Sequence, residues 1–392
     1  MNFRIFSLVF VFSFVLCLET ASALEYVRFK DKQGKERSEE GRIVEEGQIV
    51  LESSDSFAFE ARDGRRYIID RENVITRRSD DIPFVPYLKA EMIERLKEEF
   101  PPREGYNYLD MYGSFIVVYT TSRPFANWYG RLLEKLHEQY SLHWKRLGVE
   151  LSKPEFPMVV IVFSNEGHFR QYAKLDNVSL SKDMCAYYHK LTNRIAVYDM
   201  SGQQPRQEGN PRRATSVDIQ RLLTQPNSYN NIMTVIHEAV HQVGFNTGMH
   251  SRFAPTIPRW LCEGLAVFHE VPDTRNNIGW TLGPHVNRYR LTQLKRYLDR
   301  PHRESPFKKM IKDDDLFYSA DTALDYYALA WGLTFYLVKK RPKELVEYLA
   351  IMQNKTPESE DSDEIRIKDF ESCFGDDWAK FHKEFFDFLR KL

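Results

Sequence analysis

Thr234-Val235-Ile236-His237-Glu238-Ala239-Val240-His241-Gln242-Val243-Gly244 is the stretch on which the reading of the chain turns. Val235, Ile236, Ala239, Val240 and Val243 recur at helical spacing, with no proline and no interior glycine, so an amphipathic helix is expected. His237 and His241 then lie one turn apart on one face, where two imidazoles can converge on a single metal ion. Glu238 sits one position round and can reach a water at that metal without ligating it, which is where a general base is needed. Alone, the same five residues also describe two half-exposed histidines on an ordinary surface helix.

A second stretch, Trp260-Leu261-Cys262-Glu263-Gly264-Leu265-Ala266-Val267-Phe268-His269-Glu270, places Glu263 22 positions after His241. It too reads as helix, with Pro255 and Pro258 just ahead of it, where helix starts tolerate proline. A carboxylate on the next helix completes a three-ligand zinc site with one open position. These two stretches resemble the gluzincin metallopeptidases, the group of thermolysin and the aminopeptidase N type. Glu263-Gly264-Leu265-Ala266, followed by Glu270, is similar to the aminopeptidases' Glu-Gly-Phe-Ala segment with its second Glu. Asn246-Thr247-Gly248-Met249-His250 and Pro258-Arg259-Trp260 extend the likeness to a bacterial family of secreted gluzincin-like proteins of uncharacterised function.

The resemblance implies Zn2+ on His237, His241 and Glu263, with Glu238 as general base and Glu270 orienting a ligand histidine. His250 is the rival third ligand, because His241-Gln242-Val243-Gly244 resembles the glycine turn of the metzincins. The metzincin spacing falls on Thr247, however, and leaves Glu263 without a role. The resemblance further implies a peptide or protein substrate extended along the strand Arg194 to Tyr198, held by main-chain hydrogen bonds. Tyr327-Ala328-Leu329-Ala330-Trp331-Gly332 is similar to the aminopeptidase helix that starts with a catalytic tyrosine. Tyr327 is therefore expected to donate to the developing oxyanion, with Tyr326 as the neighbouring candidate.

Residues 1–23 read as a secretory signal peptide. Arg4 precedes an apolar run from Ile5 to Leu18, too short for a transmembrane span, and Ala21-Ser22-Ala23 offers a cleavage site. Leu16 before Cys17 argues against a lipoprotein, and no later stretch is apolar enough to cross a membrane. A secreted or periplasmic product is expected. With 55 basic against 56 acidic residues, nothing marks a nucleic-acid partner. Cys185, Cys262 and Cys373 are too few and too odd for a disulfide framework, and Cys262 is expected simply to pack.

Residues 24–80 alternate as short strands (Arg42 to Leu51, Phe57 to Ala61, Tyr67 to Asp70), with a tight turn at Asp63-Gly64. They read as a small β-barrel or β-sheet module for docking or spacing. Arg77-Arg78-Ser79-Asp80-Asp81, Pro83 and Pro86 read as a linker, with residues 81–392 as a gluzincin-like domain. There, strands Phe115 to Tyr119, Met158 to Phe163, Ala186 to His189 and Arg194 to Tyr198 alternate with helices opened by Ser122 and Ser164. His189, near a turn, reads as a surface residue. Residues 201–214 and Pro357 to Glu364 read as loops, and helices are expected over Asn287 to Leu298, Leu324 to Lys339 and around Trp378 to Leu389. The expected fold class is α+β. A zincin-like mixed sheet packs on the motif helix, a mostly helical C-terminal lobe closes it, and the small β module precedes both. The functional expectation is a zinc peptidase, and the competing reading is a catalytically idle scaffold that binds peptide, glycan or an envelope protein.

Overall fold

The computed structural model describes residues 22–46, 55–182, 184–199, 226–250, 252, 257–273, 280–281, 286–302, 304–355 and 361–392. The expected signal peptide up to residue 21 and the expected loop 201–214 lie outside them.

Five antiparallel strands form the first sheet: β1 (Ala23–Lys30), β2 (Glu36–Glu46), β3 (Ser56–Ala61), β4 (Arg66–Asp70) and β5 (Val74–Pro83), in the order β4-β3-β2-β1-β5. Gly64 adopts φ 79° in the Asp63-Gly64 turn, a conformation that costs other residues strain. The expected linker is corrected here. Arg77 to Pro83 belongs to β5, paired with β1 from Phe29↔Val74 to Ala23↔Pro83. Its charges face solvent from the edge of a sheet, where they discourage pairing with another chain.

The second sheet is mixed: β6 (Asn107–Asp110), β7 (Phe115–Tyr119), β8 (Met158–Phe163), β9 (Ala186–His189) and β10 (Arg194–Tyr198), in the order β6-β7-β8-β10-β9. β7, β8 and β10 run parallel, and β6 and β9 are antiparallel edges. Met158, Val160 and Val162 of β8 face the main core with helix α2 (Arg123–Leu147), capped by Ser122 as expected. Val159, Ile161 and Phe163 face the other way, against α1 (Lys89–Glu99) and α3 (Glu166–Leu175). Two covered faces explain the uninterrupted apolar run of this central strand. Asn165, rather than Ser164, caps α3, its Oδ1 accepting from the His168 N–H at 3.0 Å.

The sheet order corrects a second expectation. β10 is paired on both sides, with β8 and with β9, so no extended peptide can add to Arg194–Tyr198. The outermost strand on that side is β9, Ala186–His189.

After β10 the described elements are helices: α4 (Pro226–Asn246), α5 (Arg259–His269), α6 (Arg288–Leu298), α7 (Pro306–Lys312), α8 (Ala323–Lys340), α9 (Pro342–Gln353), α10 (Asp363–Phe374) and α11 (Trp378–Leu389). Asp363 and Glu364, expected in a loop, open α10 behind the Ser362 cap. No helix among the described residues is long and apolar enough to cross a membrane. α4 lies against β9, β10 and α2, while α5 crosses α8 closely. A Cβ at Gly264 would stand 2.3 Å from Thr334 Oγ1 and 3.1 Å from the Ala330 carbonyl, so glycine sets that approach.

Buried charge and a main-chain hydrogen bond fasten the first sheet to the rest of the chain. Arg252 Nη1 meets Glu60 Oε1 at 3.2 Å, and its Nη2 donates to the Gly64 carbonyl at 2.6 Å. The Arg66 N–H donates to Leu191 O, at the β9–β10 turn, at 2.7 Å. Arg194, 2% exposed, grips Glu99 with two bonds of 2.6 and 2.8 Å, and Arg65 approaches the same carboxylate at 3.7 Å. Removing one partner of such a pair leaves the other charged and dry. Glu99→Ala, which leaves the buried Arg194 without its partner, is expected to lower unfolding stability by about 1–3 kcal/mol in a denaturant titration, against a few tenths for Glu98, paired only on the surface.

Candidate metal centre

Three stripes of α4 do three jobs. Val235, Ile236, Ala239, Val240 and Val243 are buried in the main core, as their spacing predicts. Gln242 and Asn246, one turn apart, pin the helix to the sheet. Gln242 Nε2 donates to the carbonyls of Val159 at 3.1 Å and Asn193 at 2.8 Å, and Asn246 exchanges side-chain bonds with Asn193. Glu238, a turn before Gln242, consequently meets the edge strand, its Oε2 accepting the Tyr188 N–H at 2.8 Å.

His237 and His241 form the third stripe, and α5 brings Glu263 to it. His237 Nε2 lies 3.0 Å from Glu263 Oε2 and 3.2 Å from His241 Nε2, which is 3.5 Å from the same oxygen. Among the described residues these three form the group able to hold a metal ion. A tetrahedral ion with N and O ligands at about 2.0–2.1 Å needs donors roughly 3.3 Å apart, and this spacing matches. His250 stays outside the group. It is buried against Phe245, with their ring centroids 5.4 Å apart. His189, half-buried, contacts Thr192 and also stays outside.

Each of the three has a partner behind it. Glu270 Oε2 meets His237 Nδ1 at 3.0 Å, while its Oε1 accepts from Asn287 Nδ2 and Arg290 Nε, both at 3.0 Å. Cys262 packs against the main core, as expected, and its Sγ also lies 3.4 Å from His241 Nδ1. Arg259 Nη2 holds Glu263 Oε1 at 2.9 Å. The tyrosine register also resolves. Tyr326 turns into the core and bonds Tyr297 Oη at 3.2 Å. Tyr327 faces the centre, its ring 6.1 Å from that of His237, with Arg290 stacked 5.4 Å away.

Burial opposes charge on the His237 ring, but its hydrogen bonds to Glu263 and Glu270 prevail and raise its pKa to about 9. Burial opposes ionisation of Glu263 as well, and His241 and Arg259 overcome it, holding the carboxyl well below its usual range. Tyr327 is pushed well above its usual range by burial and by Glu263. Its phenol therefore stays protonated and able to donate.

Sequence reasoning named His237, His241, Glu238, Glu263, Glu270 and Tyr327, and the structure brings His237, His241 and Glu263 together with Glu270 and Tyr327 beside them. It missed the contact of Cys262 with His241, and it missed Arg259 and the pins Gln242 and Asn246. The i,i+4 spacing of the two amides beside the motif was the available signal.

A family described as "Protein of unknown function (DUF1570)" matches residues 231–359, the segment that holds the three converging side chains, Glu270 and Tyr327. No curated protein matches the chain.

A metal ion that takes His237 Nε2 must displace the proton retained there up to about pH 9. His241 likewise keeps its proton well above the usual imidazole range: burial opposes the charge, but Cys262 and Glu263 outweigh it. Apparent zinc affinity in chelator-competition titrations is thus expected to keep rising with pH up to at least about pH 9, with no plateau near neutral pH. Glu270→Gln, which leaves His237 Nδ1 a weaker acceptor, is expected to weaken zinc binding by roughly 10–100-fold with unchanged circular dichroism.

Proposed function

We propose that the chain is a zinc-dependent peptidase of gluzincin type, exported by the signal peptide expected over residues 1–23. The observation that carries this reading is the meeting of His237, His241 and Glu263 beside a carboxylate, Glu238, bonded to the edge of a sheet. Two imidazole nitrogens and one carboxylate oxygen suit zinc, and three protein donors leave a position open. When bound, zinc polarises a carbonyl and acidifies water.

The chain's own residues supply the rest. An extended peptide pairs along the outer edge of β9, which replaces the Arg194–Tyr198 strand expected from sequence. Glu238 lies at that edge, beside the scissile carbonyl, takes a proton from the attacking water and returns it to the leaving amine. Tyr327 donates its hydroxyl to the negative charge that builds on the carbonyl oxygen. Glu270, braced by Arg290 and Asn287, keeps the His237 ring turned toward the centre. An idle binding scaffold would not need this acid–base set, and the set therefore supports the hydrolase.

A broad peptide library digested with and without chelator tests the activity. Chelator-sensitive cleavage is expected, and none at any zinc level would refute the peptidase. Glu238→Gln should keep its zinc and lose turnover by on the order of 10²–10⁴. Hydrolysis undiminished in that variant would remove Glu238 from the mechanism. Tyr327→Phe should slow kcat by on the order of 10²–10³, with zinc content and Tm close to wild type. Tyr326→Phe, altered only at a core hydroxyl, should turn over normally.

A further inference from the structure

We propose that Arg259 is a positioning residue that makes Glu263 a one-oxygen ligand and so keeps a coordination position open for substrate. The inference rests on the zinc reading above. Glu263 is 2% exposed, and its two oxygens have different neighbours. Oε2 faces His237 Nε2 at 3.0 Å and His241 Nε2 at 3.5 Å, whereas Oε1 is held by Arg259 Nη2 at 2.9 Å. A carboxylate clasping a metal through both oxygens would have to turn Oε1 off the guanidinium. Charge-assisted hydrogen bonds of this kind are the strong ones, and a buried oxygen finds no water to replace it.

Arg259 does not depend on Glu263 for its place. Its backbone N–H donates to Asp314 Oδ1 at 2.8 Å. Its Nη1 donates to Tyr318 Oη at 2.9 Å, and the guanidinium carbon lies 4.7 Å from the centroid of that ring. These anchors come from residues 314–318, outside α5, so the guanidinium is fixed before any ion arrives. Arg259 also neighbours the Tyr327 phenol. A second Glu263 oxygen on the metal would take the position that substrate needs, so Arg259 acts on the reaction by keeping that oxygen away.

Cobalt(II) in place of zinc reports the number of donors, because its visible bands weaken as the coordination number rises. The full chain, Arg259→Met and Arg259→Lys are titrated with cobalt, and kcat and KM are then measured for the zinc forms. Arg259→Met is expected to show weaker cobalt bands, metal affinity equal to or tighter than wild type, and a kcat lower by roughly tenfold or more. Arg259→Lys, which keeps a donor for Oε1, is expected to restore the wild-type bands. Tyr318→Phe removes only the Nη1 anchor and serves as a control. Its bands should stay as in wild type, because Nη2 still holds Glu263 Oε1.

Wild-type bands and unchanged kcat in a folded, metal-loaded Arg259→Met would overturn the proposal and leave the zinc reading standing. If Arg259→Met does not fold, Arg259→Ala takes its place, and wild-type bands with unchanged kcat there overturn the proposal. Weaker metal binding in Arg259→Met, with kcat restored at saturating zinc, would reduce Arg259 to a structural brace and also overturn it. Absence of cobalt and zinc binding by the wild-type chain would refute the metal centre itself.

Discussion

Glu263 is an ionised carboxylate with almost no access to water, and the centre is built around answering that charge. An isolated buried carboxylate costs several kcal/mol unless cations and donors replace its hydration. His237, His241 and Arg259 do so from three directions. The requirement propagates outward. The charged His237 ring needs Glu270, and Glu270 needs Asn287 and Arg290. Gly264 lets α8 approach the same helix that carries Glu263, which puts the Tyr327 ring near the centre.

Much of this was legible because it is local. His237, Glu238 and His241 are separated by helical geometry alone, and Glu263 sits on the helix that follows. Tyr327 was placed through likeness to a known helix, and its separation from Tyr326 follows from a rotation of about 100° per residue. What escaped depends on how helices cross. Whether Cys262 meets a histidine ring as well as the core is decided by the angle between α4 and α5, which no local pattern carries. Arg259 is the exception: it stands one turn before Glu263 on the same helix, an i,i+4 pairing of opposite charges that was there to be read.

Two misreadings share one cause, since strand edges are a property of the sheet. Arg77-Arg78-Ser79-Asp80-Asp81 has the composition of a linker, but exposed edge strands use the same charges. For the β9–β10 hairpin, either strand could have been outermost. A clue was present in Ile195-Ala196-Val197, a run buried on both faces, against Tyr188 and His189, which are only half-buried. A continuous apolar run marks an interior strand, and amphipathic aromatics mark a rim.

The ion pair of Glu60 with Arg252 joins two parts of the chain that lie far apart in sequence. The acid lies in β3 and is 1% exposed, while this partner stands 192 positions later, beyond the whole second sheet. Arg42 of the same sheet also reaches Glu60, so the acid is answered once from within its own sheet and once from far along the chain. The N-terminal sheet and the segment that follows the histidine helix are therefore coupled through one buried ion pair, so loosening either would weaken the other.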